Sequence, residues 1–176
     1  MTALRTPVAD AYETHKKYWA DTGSDISLPV DPFRIADRMG VPVFRTILGP
    51  KLSGYLGVDA KGEPEIHVNE AHSIERNRFT CAHELGHYVD AVQRGLFPRT
   101  PEDGPLPPFA RDELATRGTS PSEIYANRYA AALLMPKSAV KTYIGEGMSS
   151  RELARRFRVS EQAMELRLKN LALQTL

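Results

Sequence analysis

The sequence predicts an α+β fold, with a small, mainly antiparallel sheet packed with two long helices and a helix-turn-helix-like pair of helices at the C-terminus. Three observations predict it. Three short β-rich runs lie together between residues 41 and 69. Two longer stretches, 74–93 and 120–136, carry helical periodicity, and the second opens on helix-start residues. Finally, residues 149–173 hold two short apolar-periodic segments joined by a turn. The same pattern divides the chain into a main domain, residues 1–145, and a C-terminal subdomain, residues 146–176.

A chain of 176 residues suits one ordinary domain with a small appendage. The net charge of +1 gives no global field that would argue for nucleic acid or an acidic substrate. With one cysteine, no intramolecular disulfide can form and no oxidising compartment is implied. Residues Met1 to Asp10 lack the apolar centre of a signal peptide, and no stretch approaches eighteen apolar residues. No membrane partner is expected, and the simplest location is the cytoplasm. The oligomeric state stays open.

In chain order, Val8, Ala11, Tyr12, His15, Tyr18 and Trp19 recur at three- and four-residue spacing and make Pro7 to Ala20 a helix, with His15 as a packing residue. Asp31 caps a second helix, Pro32 fits its first turn and Gly40 its end. That helix buries Phe33, Ile35, Ala36 and Met39. Val41 to Ile47, Leu52 to Val58 and Pro64 to Asn69 are the strands, the last two joined through Asp59-Ala60-Lys61-Gly62. A helix from Ile74 to Gln93 stops at Gly95. Gly95 to Thr119 holds five prolines, which forbid regular structure across its first half and leave a lid or a spacer as its role. Ser120 as N-cap, Pro121 at N1 and Glu123 at N3 then open a helix that ends at Pro136.

The chemistry centres on His83-Glu84-Leu85-Gly86-His87, an H-E-x-x-H arrangement. At i and i+4 on a helix, both imidazoles lie on one face and can reach one metal ion. Glu84 is rotated about 100° from His83 and stands beside the ion, where a base can take a proton from water. Gly86 permits close approach of another element. Asp90 falls on nearly the same face and is read as solvated in preference to supporting a ligand. Cys81 is on the far side of the helix and is read as a small buried hydrophobe. A catalytic zinc site needs a third protein ligand, a carboxylate, histidine or cysteine from a neighbouring element. His67, on the strand before the helix, is either a surface histidine on an edge strand or a group facing a substrate cleft.

A family resemblance enters at this point. HELGH, its lead-in Arg78-Phe79-Thr80-Cys81-Ala82, and the downstream run Glu123-Ile124-Tyr125-Ala126-Asn127-Arg128-Tyr129-Ala130-Ala131-Ala132-Leu133-Leu134-Met135-Pro136 resemble the ImmA/IrrE family of metallo-endopeptidases. The resemblance covers roughly Asp31 to Pro136. It implies a zinc metallopeptidase domain with Glu123 as third ligand, on a second ligand-bearing helix, and Asn127 supporting the site from one turn away. The Pro-rich insertion is longer than the family pattern, so Asp112 and Glu113 are outside candidates for the third ligand. The implied ion is Zn²⁺, with Mn²⁺ as the alternative divalent ion. Glu84 would act as base and then acid, while Tyr125, Tyr88 and His67 are the candidates for a second stabiliser of the tetrahedral intermediate. The implied substrate is a helix-turn-helix repressor, cut once to release a stress-response or prophage and mobile-element regulon.

In the C-terminal subdomain, Ser149 and Glu152 make a capping box and Ser160 caps a second helix after a turn at Arg158-Val159-Ser160. From Ser149 onward six Lys/Arg stand against three Glu, a net of +3. That is a mild footprint, so packing or substrate docking is favoured over DNA binding. The rival function from another class is a non-catalytic metal-binding regulator that acts through these helices on protein or DNA.

Overall fold

The computed structural model describes residues 4–19, 27–95 and 120–175. Residues 96–119, with Asp112 and Glu113, lie outside the described residues.

Helix α1, Pro7–Thr14, begins at Thr6, whose Oγ1 accepts from Ala9 N at 3.3 Å, and runs on into a wider π-type turn, His15–Trp19. The expected single helix thus changes its winding after two turns. Thr14 and His15 are both buried against a later helix, where they meet Tyr129 Oη (2.9 Å) and the Leu133 carbonyl (2.7 Å). Helix α2, Pro32–Arg38, is capped by Asp31, whose Oδ1 accepts from Phe33 N at 3.0 Å, and it buries Ile35 and Ala36.

Strands β1 (Val43–Thr46), β2 (Gly54–Val58) and β3 (Pro64–Asn69) form one sheet in the order β1-β3-β2. The β2–β3 hairpin is antiparallel, and Asp59 Oδ1 ties its turn by accepting from Lys61 N (2.7 Å) and Glu63 N (2.9 Å). β1 pairs parallel with β3, so the sheet is mixed. β3 is therefore the central strand and β2 an edge, which corrects the placement of His67 on an edge strand. Strand periodicity cannot reveal such an order, because it fixes faces and not neighbours.

Leu56, Ile66 and Val68 turn the sheet's inner face onto α3, Ile74–Gln93. β2 is drawn in close: a Cβ on Gly54 would fall 2.5 Å from both the His67 carbonyl oxygen and Thr80 Cγ2. Only glycine lets the edge strand lie this near the helix. Helix α4, Pro121–Leu134, crosses the other side of α3, and its Ala126, Ala130 and Leu133 are buried.

Helix α5 (Lys137–Gly145) leads to α6 (Ser150–Phe157) and α7 (Glu161–Asn170). The Ser149–Glu152 capping box forms in both directions, and Arg158 takes the left-handed conformation (φ 51°) at the turn. Leu153, Phe157, Met164 and Leu168 join the same apolar cluster as Leu56, Leu85 and Tyr129. The contact is also polar. The Arg78 guanidinium on α3 donates to the carbonyls of Val30 (2.6 Å), Arg158 (3.0 Å) and Phe157 (3.4 Å). Arg167 Nε donates to the Met135 carbonyl at 3.0 Å. Among the described residues no helix is long and apolar enough to cross a membrane.

Candidate metal centre

His83 and His87 lie one turn apart on α3 and face the first turn of α4. The two helices meet where Gly86 lies against the Ala126 backbone, and this contact sets how closely Glu123 can approach the histidines. His83 Nε2 is 3.1 Å from His87 Nε2 and 3.3 Å from Glu123 Oε2, while His87 Nε2 is 3.1 Å from Glu123 Oε1. Among the described residues these three supply the His, Cys, Asp or Glu ligand atoms that all lie within 4.8 Å of one another.

The donor set fits a divalent cation. Asn127 Oδ1 accepts from His83 Nδ1–H at 3.1 Å, and Ser122 Oγ accepts from His87 Nδ1–H at 3.1 Å. The Nε2 atoms of both rings converge on one point beside the Glu123 carboxylate. A tetrahedral ion with bonds of about 2.0–2.2 Å would hold its donors about 3.3–3.6 Å apart, slightly wider than the spacings observed.

Glu123 has a divided role. Its backbone N–H caps onto Ser120 Oγ at 3.2 Å, and its carboxylate turns to the histidines instead of back to the cap. The half-used capping box reconciles the two readings of this residue. Burial pushes the Glu123 carboxyl up, but hydrogen bonds from His83 and His87 and their charge outweigh it and bring it down to about 2. Burial lowers the His83 pKa, yet its hydrogen bond to Glu123 and the charge of Glu84 and Glu123 raise it overall.

Glu84 is buried beside the pair. Desolvation lifts its pKa above the ordinary carboxylate value, against the charge of His83 and His87 and a hydrogen bond from the Leu56 backbone N–H. In the hairpin, Ser53 bonds across to Asn69 and Asp59 to Glu63, so the even-numbered residues of β2 turn their N–H groups to the open edge. That parity is what aims the Leu56 N–H at Glu84.

His83, Glu84, His87, Glu123 and Asn127 share a cleft of about 340 Å³ with Lys51 to Leu56, Phe79 and Thr80. The three proposed stabilisers do not line it. His67 lies on the outer face of the sheet, between Phe44 and Tyr55, and bonds Thr46 Oγ1 (2.8 Å) and Glu65 (2.9 Å). Tyr125 Oη donates to Asp10 Oδ2 and accepts from Gln93 Nε2 at 2.9 Å, on the side of α4 facing α1. Tyr88 packs half-buried against the core. Asp90 is not solvated, being 5% exposed and paired with Arg94 at 3.0 Å. Cys81 is buried, with its thiol pKa pushed well up by desolvation, and His15 packs as expected.

Sequence reasoning missed Ser122 and the Leu56 N–H. Ser122 precedes Glu123 by one residue, so its position was visible but its orientation was not. A backbone N–H leaves no residue-type signal at all.

A family model described as the IrrE N-terminal-like domain, in a peptidase family, matches residues 36–169. No curated protein matches significantly. Among solved structures, a Mycobacterium tuberculosis transcriptional regulator is similar with a TM-score of 0.60 at 16% identity, over 93% of this chain. The chain spans 46% of that regulator's length.

Proposed function

The chain belongs to the IrrE N-terminal-like metallopeptidase family, and from that premise we propose that it is a zinc-dependent endopeptidase of the cytoplasm that makes a site-specific cut in a helix-turn-helix transcriptional repressor. Release of a stress-response or prophage regulon would follow. The observation that carries the peptidase reading is the buried Glu84 carboxylate beside two imidazole Nε2 atoms and the Glu123 carboxylate, all on one cleft. The repressor assignment rests on the family. That the similar solved structure is a transcriptional regulator is consistent with it.

His83, His87 and Glu123 would hold the ion, which supplies Lewis-acid polarisation of the scissile carbonyl and a lowered pKa for water. Asn127 and Ser122 keep the two Nε2 atoms aimed inward by accepting from the opposite ring nitrogens. Glu84 takes a proton from the attacking water and passes it to the leaving amine. Burial raises its pKa above the ordinary carboxylate value, the direction that favours accepting a proton. The Leu56 N–H fixes where that carboxylate stands. An extended substrate would lie along the open edge of β2, whose Gly54 backbone borders the cleft. The second group that stabilises the developing oxyanion would come from the cleft lining, where Lys51 and Asn127 carry donors.

The rival reading, a metal-binding regulator without catalysis, gives Glu84 no task. To test the proposal, the metal-loaded protein is incubated with helix-turn-helix repressors from the same cell and the products are weighed intact. Two fragments that sum to one repressor plus water support it. Repressors that stay whole across the set, with the ion in place, refute the repressor assignment.

A further inference from the structure

A second groove, of about 850 Å³, lies between the N-terminal half of α3 and the α6–α7 pair. Its floor is apolar, made by Phe79, Ala154, Val159, Ala163 and Leu166, and Leu166 is 58% exposed. Arg76, Arg151, Arg155 and Arg158 line its sides, against two carboxylates, Glu75 and Glu161. The groove adjoins the metal cleft. Phe79, one turn before His83, lines both, and Arg76 donates from Nε (3.2 Å) and Nη2 (2.8 Å) to the Oγ of Ser53, a cleft residue.

We propose that this groove is an exosite that docks an acidic segment of the protein substrate, one carrying apolar side chains among its carboxylates, adjacent to the bond that is cut. The inference rests on the peptidase reading and adds to it the chemistry of the substrate. An apolar floor under a predominantly basic rim is complementary to such a peptide. Arg76 precedes His83 by seven residues, on the order of 10 Å along the helix. An extended chain covers that in about three residues, so the docked segment begins roughly three to six residues from the scissile bond. Nucleic acid is the poorer match. In a helix-turn-helix the second helix meets the bases, and the exposed positions of α7 are Glu161, Gln162, Glu165, the apolar Leu166, Lys169 and Asn170, with two carboxylates against one ammonium. Arg167, a basic residue of that helix, is buried and donates to the Met135 carbonyl.

The test uses the full-length chain with Glu84→Gln, so that binding is read without turnover. The probes are a fluorescein-labelled dodecapeptide of Glu, Leu and Ala, its counterpart with Lys for Glu, and a labelled DNA duplex. Fluorescence anisotropy at low salt is expected to show binding of the acidic peptide alone. Arg151→Glu/Arg155→Glu should weaken it roughly tenfold or more, by reversing two exposed charges. Leu166→Ser should weaken it by a smaller factor, and melting curves check that each variant folds. Equal binding of the Lys peptide, or no effect of the double reversal, overturns the proposal. So does preferential binding of the duplex that the same reversal abolishes, which would make the groove a nucleic-acid face. A separate arm offers a proteome-derived peptide library to the metal-loaded wild type. If the acidic probe binds through Arg151 and Arg155 while no library peptide is cut, the peptidase reading fails and the docking site stands.

Discussion

Gly86 of α3 and Ala126 of α4 lie so close that a Cβ on the glycine would stand 2.9 Å from the Ala126 Cα. The Ala126 carbonyl oxygen and Tyr129 Cδ1 would each be 3.2 Å away. Backbone atoms cannot step aside as a side chain can, so Gly86→Ala must push the helices apart. The intrinsic helix gain of alanine over glycine is about 1 kcal/mol, and the overpacking costs about 1–3 kcal/mol. A net loss of stability is expected. Because the proposed ligands are split between the two helices, affinity for a divalent ion such as zinc should fall with it. Thermal melting and a zinc titration check both, and a variant unchanged in both would mean that the contact does not set the site.

The groups behind the histidines should matter for the ion almost as the ligands do. Asn127→Ala and Ser122→Ala each remove the acceptor that orients a ring, at His83 and His87 respectively. A loss of about 10–100-fold in metal affinity is expected for each, read by competition with a chromophoric chelator. Glu123→Ala should cost more than either, since it removes a proposed ligand. Wild-type affinity in Asn127→Ala would contradict this account of the site.

His15 gives stability a dependence on pH. It is buried, its Nε2–H donates to the Leu133 carbonyl, and burial lowers its pKa from 6.5 against the effect of that bond. The unfolded chain therefore binds the proton at higher pH than the folded one. The contribution of the neutral ring is complete above about pH 6.5 and is lost as pH falls from there through the folded pKa. Urea midpoints at pH 7.5 and 5.5 should fall more for wild type than for His15→Gln, which keeps a donor but does not titrate. Equal falls would show that His15 carries none of the effect.

Arg78 should hold the C-terminal helices to the rest of the fold. Arg78→Met keeps most of the buried volume but leaves the carbonyls of Val30, Phe157 and Arg158 without this donor. The expected cost is about 3 kcal/mol. Hydrogen exchange should quicken in α6 and α7 first. Unchanged exchange there would assign the attachment to apolar packing through Leu153 and Phe157 alone.

The elements were legible because caps and periodicity are local: Asp31, Ser120, Ser149 and Ser160 each cap a helix at the position expected. The two histidines and Glu84 were legible for the same reason, as one helical turn fixes their relation. Glu123 and Asn127 depended on a resemblance, since nothing local says which face of α4 meets α3. The stabiliser candidates Tyr125, Tyr88 and His67 are the right kind of residue near the right motifs. Their directions, however, are set by distant partners: Asp10 and Gln93 for Tyr125, and Phe44, Tyr55 and Thr46 for His67. Asp90 was misread because its i+4 pairing with Arg94 and its burial depend on packing that composition does not encode.

The central claim, that Glu84 is the proton-transferring base of a metallopeptidase, is tested most directly by cutting one repressor with wild type and Glu84→Gln at matched zinc content. Intact-mass spectrometry follows the fragments over time. The account predicts equal metal occupancy and a rate lower by about 10²–10⁴-fold in the variant, the range associated with a positioned acid–base group. Cleavage at the wild-type rate by zinc-loaded Glu84→Gln would contradict it.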